Sequence, residues 1–91
     1  MAYTTKRLSQ VFKALANERR MNIIKFVYKK PLPVGEISKK LKLSLKSVSK
    51  HLQKMEREGL VEKHHEGKFV YYQITGSTRK SGVTRQIIES I

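Results

Sequence analysis

A stripe of basic and hydroxyl-bearing side chains recurs between residues 45 and 57 at the spacing of one helical face. Lysine ammonium groups attract phosphates, and lysine, serine and glutamine side chains can donate hydrogen bonds to base edges or to a sugar-phosphate backbone. Almost no acid interrupts the stripe, so its chemistry suits a polyanion. Its members are Lys46, Ser47, Ser49, Lys50, Gln53, Lys54 and Arg57.

The segment from residue 33 to residue 58 has the apolar periodicity of two consecutive helices. The predicted buried faces are Val34, Ile37 and Leu41 in the first helix and Leu45, Val48, Leu52 and Met55 in the second. Ser44 is a good N-cap because its hydroxyl can accept a hydrogen bond from an orphan amide, and Gly59 suits the position after the helix. This pattern predicts a helix-turn-helix whose second helix enters the DNA major groove. An ordinary helical hairpin with a solvated lysine face is the alternative.

The charge of the whole chain favours a polyanionic partner. The 91 residues include 20 Lys and Arg against 7 acidic residues, a formal net charge of +13. Such an imbalance indicates nucleic acid first. An anionic membrane is the second candidate, but the chain lacks a long apolar run or a strongly apolar basic helix. No signal peptide or transmembrane span is apparent, so we expect a cytoplasmic protein with no membrane partner.

Two further helices are predicted before the helix-turn-helix. The first covers residues 5–16, and Asn17 ends it and can cap the second. The second helix runs from Glu18 to about Tyr28, and its wide apolar face places it at the centre of the core. After it, residues 32–34 could add a short segment to a sheet edge. The apolar stripe of the first helix is formed by Leu8, Val11, Phe12 and Leu15.

A β-hairpin is predicted over residues 60–74, directly after the helix-turn-helix. Residues 60–63 form one strand, Glu66-Gly67 the turn, and residues 68–74 the return strand. The predicted core-facing residues are Val70, Tyr72 and Ile74. A hairpin in this place is a wing that touches the DNA backbone or minor groove, and a plain hairpin that only covers the core is the alternative. The tip of the hairpin carries Lys63, His64, His65 and Lys68.

The end of the chain contains a predicted linker and a short amphipathic helix. Residues 75–82 are rich in glycine, serine, threonine and lysine, which predicts the linker, and residues 83–91 form the helix. A helix shorter than about 12 residues is marginal in water, so it must dock on another surface. We predict that it pairs with the first helix as a homodimer interface, because the middle helices can already enclose a core. The predicted interface residues are Leu8, Val11, Phe12, Leu15, Val83, Ile87, Ile88 and Ile91.

The lysines around the turn are candidate phosphate contacts. Lys39, Lys40 and Lys42 are placed to fix orientation on a duplex without reading bases, and solvated charge is the alternative. Lys46 and Lys50 lie one turn apart near the start of the second helix, which is the end that reaches base edges. Lysine can donate to guanine O6 and N7, so these two residues are the candidate readers.

The three histidines are not arranged as a metal site. His64 and His65 are adjacent in a predicted strand, so their side chains point to opposite faces. We expect both to be surface contacts of the wing. His51 lies beside Leu52 in the second helix of the pair, and we expect a packing or phosphate-contacting role for it. Zero cysteines exclude disulfides, thiolate metal sites and cysteine catalysis.

Taken together, these segments resemble the ArsR-type winged helix-turn-helix repressors over residues 8–74. The resemblance implies a homodimer whose first and last helices form the subunit interface, and repression by covering operator DNA. It also implies that Lys50 and the positions near Lys46, Ser47 and Ser49 face the groove. The matching segments are VFKALANERR at 11–20, LSLKSVSKHL at 43–52, EGLV at 58–61 and GKFVYYQI at 67–74.

Two departures from the family pattern concern the effector. Many members sense metals through cysteines at the start of the third helix, where this chain has PVGEI at residues 33–37. Others bind zinc with Asp and His in the last helix, where this chain offers only Glu89. Metal sensing by either route is not expected, no cofactor is predicted, and the effector is unknown.

The predicted fold class is mainly α (α+β), a single winged helix-turn-helix domain over residues 1–91 with about five helices and a two-stranded β-wing. The leading functional hypothesis is a sequence-specific, double-stranded DNA-binding transcriptional regulator, a homodimer that binds an inverted repeat. An architectural protein that coats duplexes without sequence preference is a second hypothesis, and a protein-interaction module is a third. An enzyme is not expected, because no catalytic constellation is apparent.

Overall fold

The structure, a computed structural model, describes residues 4–91 except for the side chain of Val83. Its helices are α1 (Thr5–Leu15), α2 (Glu18–Lys29), α3 (Val34–Leu41), α4 (Leu45–Arg57), α5 (Gly76–Lys80) and α6 (Gly82–Glu89), and its strands are β1 (Leu32–Pro33), β2 (Val61–Glu66) and β3 (Phe69–Ile74). The predicted fold class, a mainly helical winged helix-turn-helix, is confirmed.

Side-chain caps fix the starts of α2 and α4, as the sequence predicts. The Asn17 side chain accepts a hydrogen bond from the Arg20 amide (3.1 Å), and Ser44 Oγ accepts one from the Ser47 amide (3.1 Å). At the other end of α4, Gly59 has a φ of 75°. This left-handed conformation favours glycine, and it ends the helix with a paired set of backbone hydrogen bonds.

The three strands form one antiparallel sheet in the order β1-β3-β2. The short segment expected at the sheet edge is β1, in which Leu32 is opposite Tyr72. The hairpin turn is shifted by one residue from the prediction, because Glu66 is still paired with Phe69. The two-residue loop is therefore Gly67 and Lys68, with a φ of 61° at Gly67.

The core is built around α2, as its wide apolar face predicts. Ile23, Ile24 and Val27 of α2 are completely buried, and so are Val48, Leu52 and Met55 of α4. The prediction that Leu45 shares this buried face is wrong, since 57% of Leu45 is exposed. Leu45 is the first residue of α4, and the apolar face of this helix is covered only from Val48 onward.

The predicted linker over residues 75–82 is wrong, because most of it is the short helix α5. The Thr75 side chain caps this helix by accepting from the Thr78 amide (3.2 Å), and Ser81 caps α6 by accepting from the Thr84 amide (3.3 Å). The hydroxyl residues that resembled a flexible linker are N-caps. The described part of the chain therefore has six helices rather than five.

The expectation that the middle helices enclose the core without the terminal helices, which would leave both terminal stripes for a partner, needs correction. Val11, Leu15 and Ile88 are 1%, 5% and 4% exposed, because α1 and α6 pack on α2 within the same protomer. Leu8 and Ile87 are half-buried, and Phe12 and Ile91 are exposed. Val83 lies outside the described side chains. The apolar surface left for a partner is thus smaller than the sequence suggests.

Candidate nucleic-acid interface

The turn between α3 and α4 is held by hydrogen bonds between its two ends. The Leu43 amide donates to Ser38 O (3.1 Å), and Ser38 Oγ donates to Leu43 O. Lys42 lies between these residues with φ 56° and ψ 42°. A left-handed conformation at a residue other than glycine costs about 1–2 kcal/mol, so the surrounding bonds must hold it in place.

The basic stripe of α4 lies on the side of the helix opposite the core. Lys46, Lys50, Gln53, Lys54 and Arg57 are exposed, and Ser47 and Ser49 are half-buried. The only acidic residue within α4, Glu56, is near the C-terminal end. The N-terminal part of the helix therefore presents lysines, hydroxyls and the exposed Leu45 but no acid, at the end where the helix dipole is also positive.

The lysines around the turn are exposed, but they are not equivalent. Lys39 and Lys42 extend from the end of α3 into solvent. The Lys40 ammonium lies 5.4 Å from the centroid of the Phe26 ring. A cation over an aromatic face is attracted by the ring, so Lys40 already has an intramolecular contact that a phosphate would share or replace.

The two faces of the wing differ in charge. His64, Glu62 and Glu66 lie on the outer face, where the His64 ring stacks on Tyr71 with centroids 5.6 Å apart. His64 Nε2 is 3.7 Å from Glu66 Oε2. Lys63 and His65 lie on the opposite face and are exposed. His64 is therefore occupied by contacts within the wing, and the basic character of the tip comes from Lys63, His65 and Lys68.

His51 is half-buried on α4 and faces the start of α2. Burial lowers the pKa of His51 from its usual value, and the charges of Arg20 and Arg19 lower it further. The lowered pKa favours the neutral imidazole over the charged form, which suits the packing role expected of His51 better than the phosphate-contacting one. Across residues 4–91, no three His, Cys, Asp or Glu side chains come together as a group that could hold a metal.

Some contacts at the C-terminal end of α4 could not be predicted from the sequence. Arg7 of α1 donates to Glu58 O, and Thr75 and Thr78 reach Gly59 O. Thr75 precedes α5 as a capping residue, which is a recognisable signal. Nothing in the local sequence indicates the contact of Arg7, because its partner is 51 residues away.

No helix in the described range is long and apolar enough to cross a membrane.

A tight turn between two helices, a basic second helix capped by Ser44 and a β-wing together define a winged helix-turn-helix. The sequence profile of the bacterial regulatory protein family arsR matches residues 17–63, and this chain belongs to that family. The family resemblance predicted from the sequence is thus confirmed. The family is one of regulatory proteins, in agreement with the prediction that the chain is not an enzyme.

Curated relatives include regulators from several bacteria. The transcriptional activator HlyU of Vibrio cholerae is 38% identical over 71 residues, which are 78% of this chain and 66% of HlyU. The cadmium resistance transcriptional regulatory protein CadC of Listeria innocua is 34% identical over 71 residues, or 77% of this chain and 60% of CadC. The chain therefore spans less than two thirds of the length of these relatives.

Solved structures show the same fold. HlyU from Vibrio cholerae has a TM-score of 0.82 and 33% identity, covering 99% of this chain and 92% of that chain. A homodimeric winged helix-turn-helix DNA-binding domain from Mycobacterium bovis, described as a possible ArsR-family regulator, has a TM-score of 0.78 and 28% identity. That likeness covers 99% of this chain and 85% of the other.

Proposed function

We propose that this chain is a double-stranded DNA-binding transcriptional regulator in which α4 enters the major groove. The observation that carries the proposal is the exposed face of α4. It presents lysines, serines and a glutamine, and its only acid is near the C-terminal end. The hydrogen-bonded turn and the buried Val48, Leu52 and Met55 on the opposite face hold this stripe in one orientation. Membership of the arsR family of regulatory proteins supports the same function.

The candidate contacts divide into residues that read and residues that position. Lys46 and Lys50 lie near the N-terminal end of α4, the end of a recognition helix that contacts base edges. Phosphate contacts fix the register without carrying sequence information. The proposed positioning residues are Lys39, Lys40, Lys42, Ser44, Lys54, Lys63, His65 and Lys68, and the proposed readers also include Ser47, Ser49 and Gln53.

The proposal includes a homodimer that binds an inverted repeat. On α1, Leu8 and Phe12 line an open depression of about 400 Å³, and 46% of Phe12 is exposed. Ile91 at the other end of the chain is also exposed. The homodimeric domain from Mycobacterium bovis supports pairing of this fold. A two-fold dimer presents two recognition helices to one face of the duplex, so the half-sites should be related by inversion.

The first test of the function is the binding of duplex DNA at several salt concentrations. Each neutralised phosphate contributes about −0.9 to the slope of log affinity against log salt concentration. We expect a steep slope, and Lys50→Ala should weaken binding to a preferred site by roughly 10- to 100-fold while relaxing its base preference. Lys29→Ala is the matched control, because it removes the same charge from the exposed end of α2. A slope near zero would overturn the proposal.

Equal losses on specific and random DNA would instead favour an architectural protein. In that case Lys50→Ala and the wing variant Lys68→Ala would both weaken binding without changing sequence preference. Typical regulators prefer their site by about 10³-fold or more. Failure to bind any duplex at low salt would favour the protein-interaction module.

Sedimentation tests the dimer separately. Phe12→Asp places a charge in the proposed interface on α1, and we expect it to convert the dimer into a monomer. Leu45→Asp is the control, since Leu45 is another exposed apolar residue outside that interface. A wild-type protein that is monomeric at tens of micromolar, or a Phe12→Asp variant that stays dimeric, would contradict this interface.

A further inference from the structure

The segment that directly follows α4, residues 58–60, is bonded to α1 and to the start of α5. The carbonyls at the end of an α-helix and in the residues just after it find no partner within the helix. Here Glu58, Gly59 and Leu60, the three residues that lead from α4 to β2, each have a carbonyl that accepts a hydrogen bond from outside this segment. The donors come from α1 on one side and from the start of α5 on the other.

Arg7 makes the contact from α1. Its Nη2 donates to Glu58 O, and its Nη1 is 3.8 Å from Glu58 Oε2. A Cβ added to Gly59 would lie 3.1 Å from Arg7 Nη2, so the guanidinium lies directly against the helix end. A cation at a helix C-terminus is stabilised by the helix dipole, and the planar guanidinium can hold a carbonyl and a carboxylate together.

Thr75 and Thr78 make the contact from α5. Thr75 Oγ1 donates to Gly59 O (2.8 Å), and the Thr75 amide donates to Leu60 O (3.1 Å). Thr78 Oγ1 is 2.7 Å from Thr75 Oγ1 and 3.3 Å from Gly59 O. Only 1% of Thr78 is exposed, so its hydroxyl is shielded from solvent and its hydrogen-bond partners are Thr75 Oγ1 and Gly59 O. A buried hydroxyl without a partner is costly, which makes the arrangement specific.

We infer that Arg7 and Thr75 are positioning residues that fix the orientation of α4 relative to α1 and to the start of α5. This inference rests on the proposed function, in which α4 reads DNA and α1 belongs to the dimer interface. The angle between those two elements sets the separation of the two recognition helices in a dimer. Fixing that angle selects one half-site spacing, because a binding site must be held in place to within about 0.5 Å.

The position of α4 can be measured without DNA. The chain has no cysteine, so two introduced cysteines can carry spin labels without background. Gln10→Cys on α1 and Lys54→Cys on α4 are both at exposed positions. Labelled protein diluted with excess unlabelled protein gives the distance within one protomer. We expect one narrow distribution in this doubly labelled protein, and a shifted and broader one when Arg7→Gln is added.

Matched variants separate positioning from charge and from helix capping. Lys6→Gln removes the same charge from an exposed neighbour on α1 and should leave the distance unchanged. Thr75→Val removes the Gly59 bond, the Thr78 hydroxyl contact and the cap of α5. Ser81→Ala removes the cap of α6 and a hydroxyl contact to Thr84 but no bond to residues 58–60, so it should leave the distance unchanged. Thr75→Ser keeps the hydroxyl and should give the wild-type distance. Arg7→Lys keeps the positive charge and should give a distance between those of wild type and Arg7→Gln.

Binding to inverted repeats with altered spacing tests the consequence for DNA. We expect wild type to prefer one spacing, and Arg7→Gln to reduce that preference by about 3- to 30-fold while Lys6→Gln retains it. If the label-to-label distance is unchanged in both Arg7→Gln and Thr75→Val, the inference is wrong, whether or not the wild-type protein binds DNA as proposed. If wild type binds no DNA, the proposed function fails, and the distance measurement alone decides whether these residues position α4.

Discussion

The two ends of α4 are held in different ways. At the N-terminal end, the cap comes from Ser44 of the adjoining turn, and Leu45 and Lys46 are exposed. At the C-terminal end, Arg7 and Thr75 bond from positions 51 and 16 residues away in the chain. The end proposed to contact bases is thus open to solvent, and the opposite end is bonded to the rest of the protomer. This separation lets the side chains at the contacting end vary without loosening the helix.

The buried middle of the helix gives the largest expected effect. Leu52 is completely buried, and Leu52→Ala should lower the free energy of unfolding by about 2–5 kcal/mol because it leaves a cavity. Leu45→Ala at the open end should change it by less than about 0.5 kcal/mol. Urea denaturation of both variants measures the contrast. A loss of more than about 1 kcal/mol in Leu45→Ala would show that the open end is packed in solution.

Gly59 at the bonded end should resist substitution more strongly than Gly67 in the wing. Both have positive φ, so an alanine at either position costs about 1–2 kcal/mol. At Gly59 the added Cβ also meets Arg7, whereas nothing lies within 4 Å at Gly67. We therefore expect the larger fall in melting temperature for Gly59→Ala. Equal falls for the two variants would mean that Arg7 gives way without cost.

The cap at the open end should be worth about 1 kcal/mol. Ser44→Ala leaves the Ser47 amide without its side-chain acceptor, and the free energy of unfolding should fall by that amount. Ser44→Asp keeps an acceptor and should restore the stability, although a negative charge next to phosphate should weaken DNA binding. A Ser44→Ala variant as stable as wild type would show that water replaces the cap.

Lys42 should show opposite effects on stability and on binding. Its left-handed conformation costs less for glycine, so Lys42→Gly should raise the free energy of unfolding by about 1 kcal/mol or less. The same change removes a proposed phosphate contact and should reduce affinity on all sequences alike. Lys39→Gly is a useful contrast, since a glycine inside α3 destabilises the helix. Unchanged affinity in Lys42→Gly would remove this residue from the interface.

The smallest effect concerns pH. The pKa of His51 is lowered in the folded protein, so the unfolded state binds a proton first as the solution is acidified. The contribution of His51 to the free energy of unfolding should therefore be fully present above pH 6.5. As the pH falls from 6.5 towards the pKa of His51 in the folded protein, this contribution should be lost. His51→Gln should flatten this fall, and Arg19→Gln should reduce it. An unchanged pH dependence in both variants would show that His51 does not contribute.

Local signals in the sequence predict most of the helices, and distant contacts explain the failures. Asn17, Ser44 and Gly59 mark helix ends through bonds to near neighbours, and the structure has the ends where these residues place them. The sequence predicts a linker in place of α5 because Thr75 resembles a linker residue unless its capping role is recognised. An apolar stripe in the sequence does not show which surface will bury it. Val11, for example, is apolar whether it packs on α2 or on another protomer.

Selection of bound sequences from a random duplex pool tests the central claim most directly. If α4 reads bases within a homodimer, the pool should converge on an inverted repeat whose half-sites lie about one helical turn apart or a multiple of it. Lys50→Ala in the same experiment should change the base preferred at one position of each half-site. A pool that remains as random as the starting material, with wild-type protein that still binds duplex DNA, would contradict the claim that α4 reads sequence.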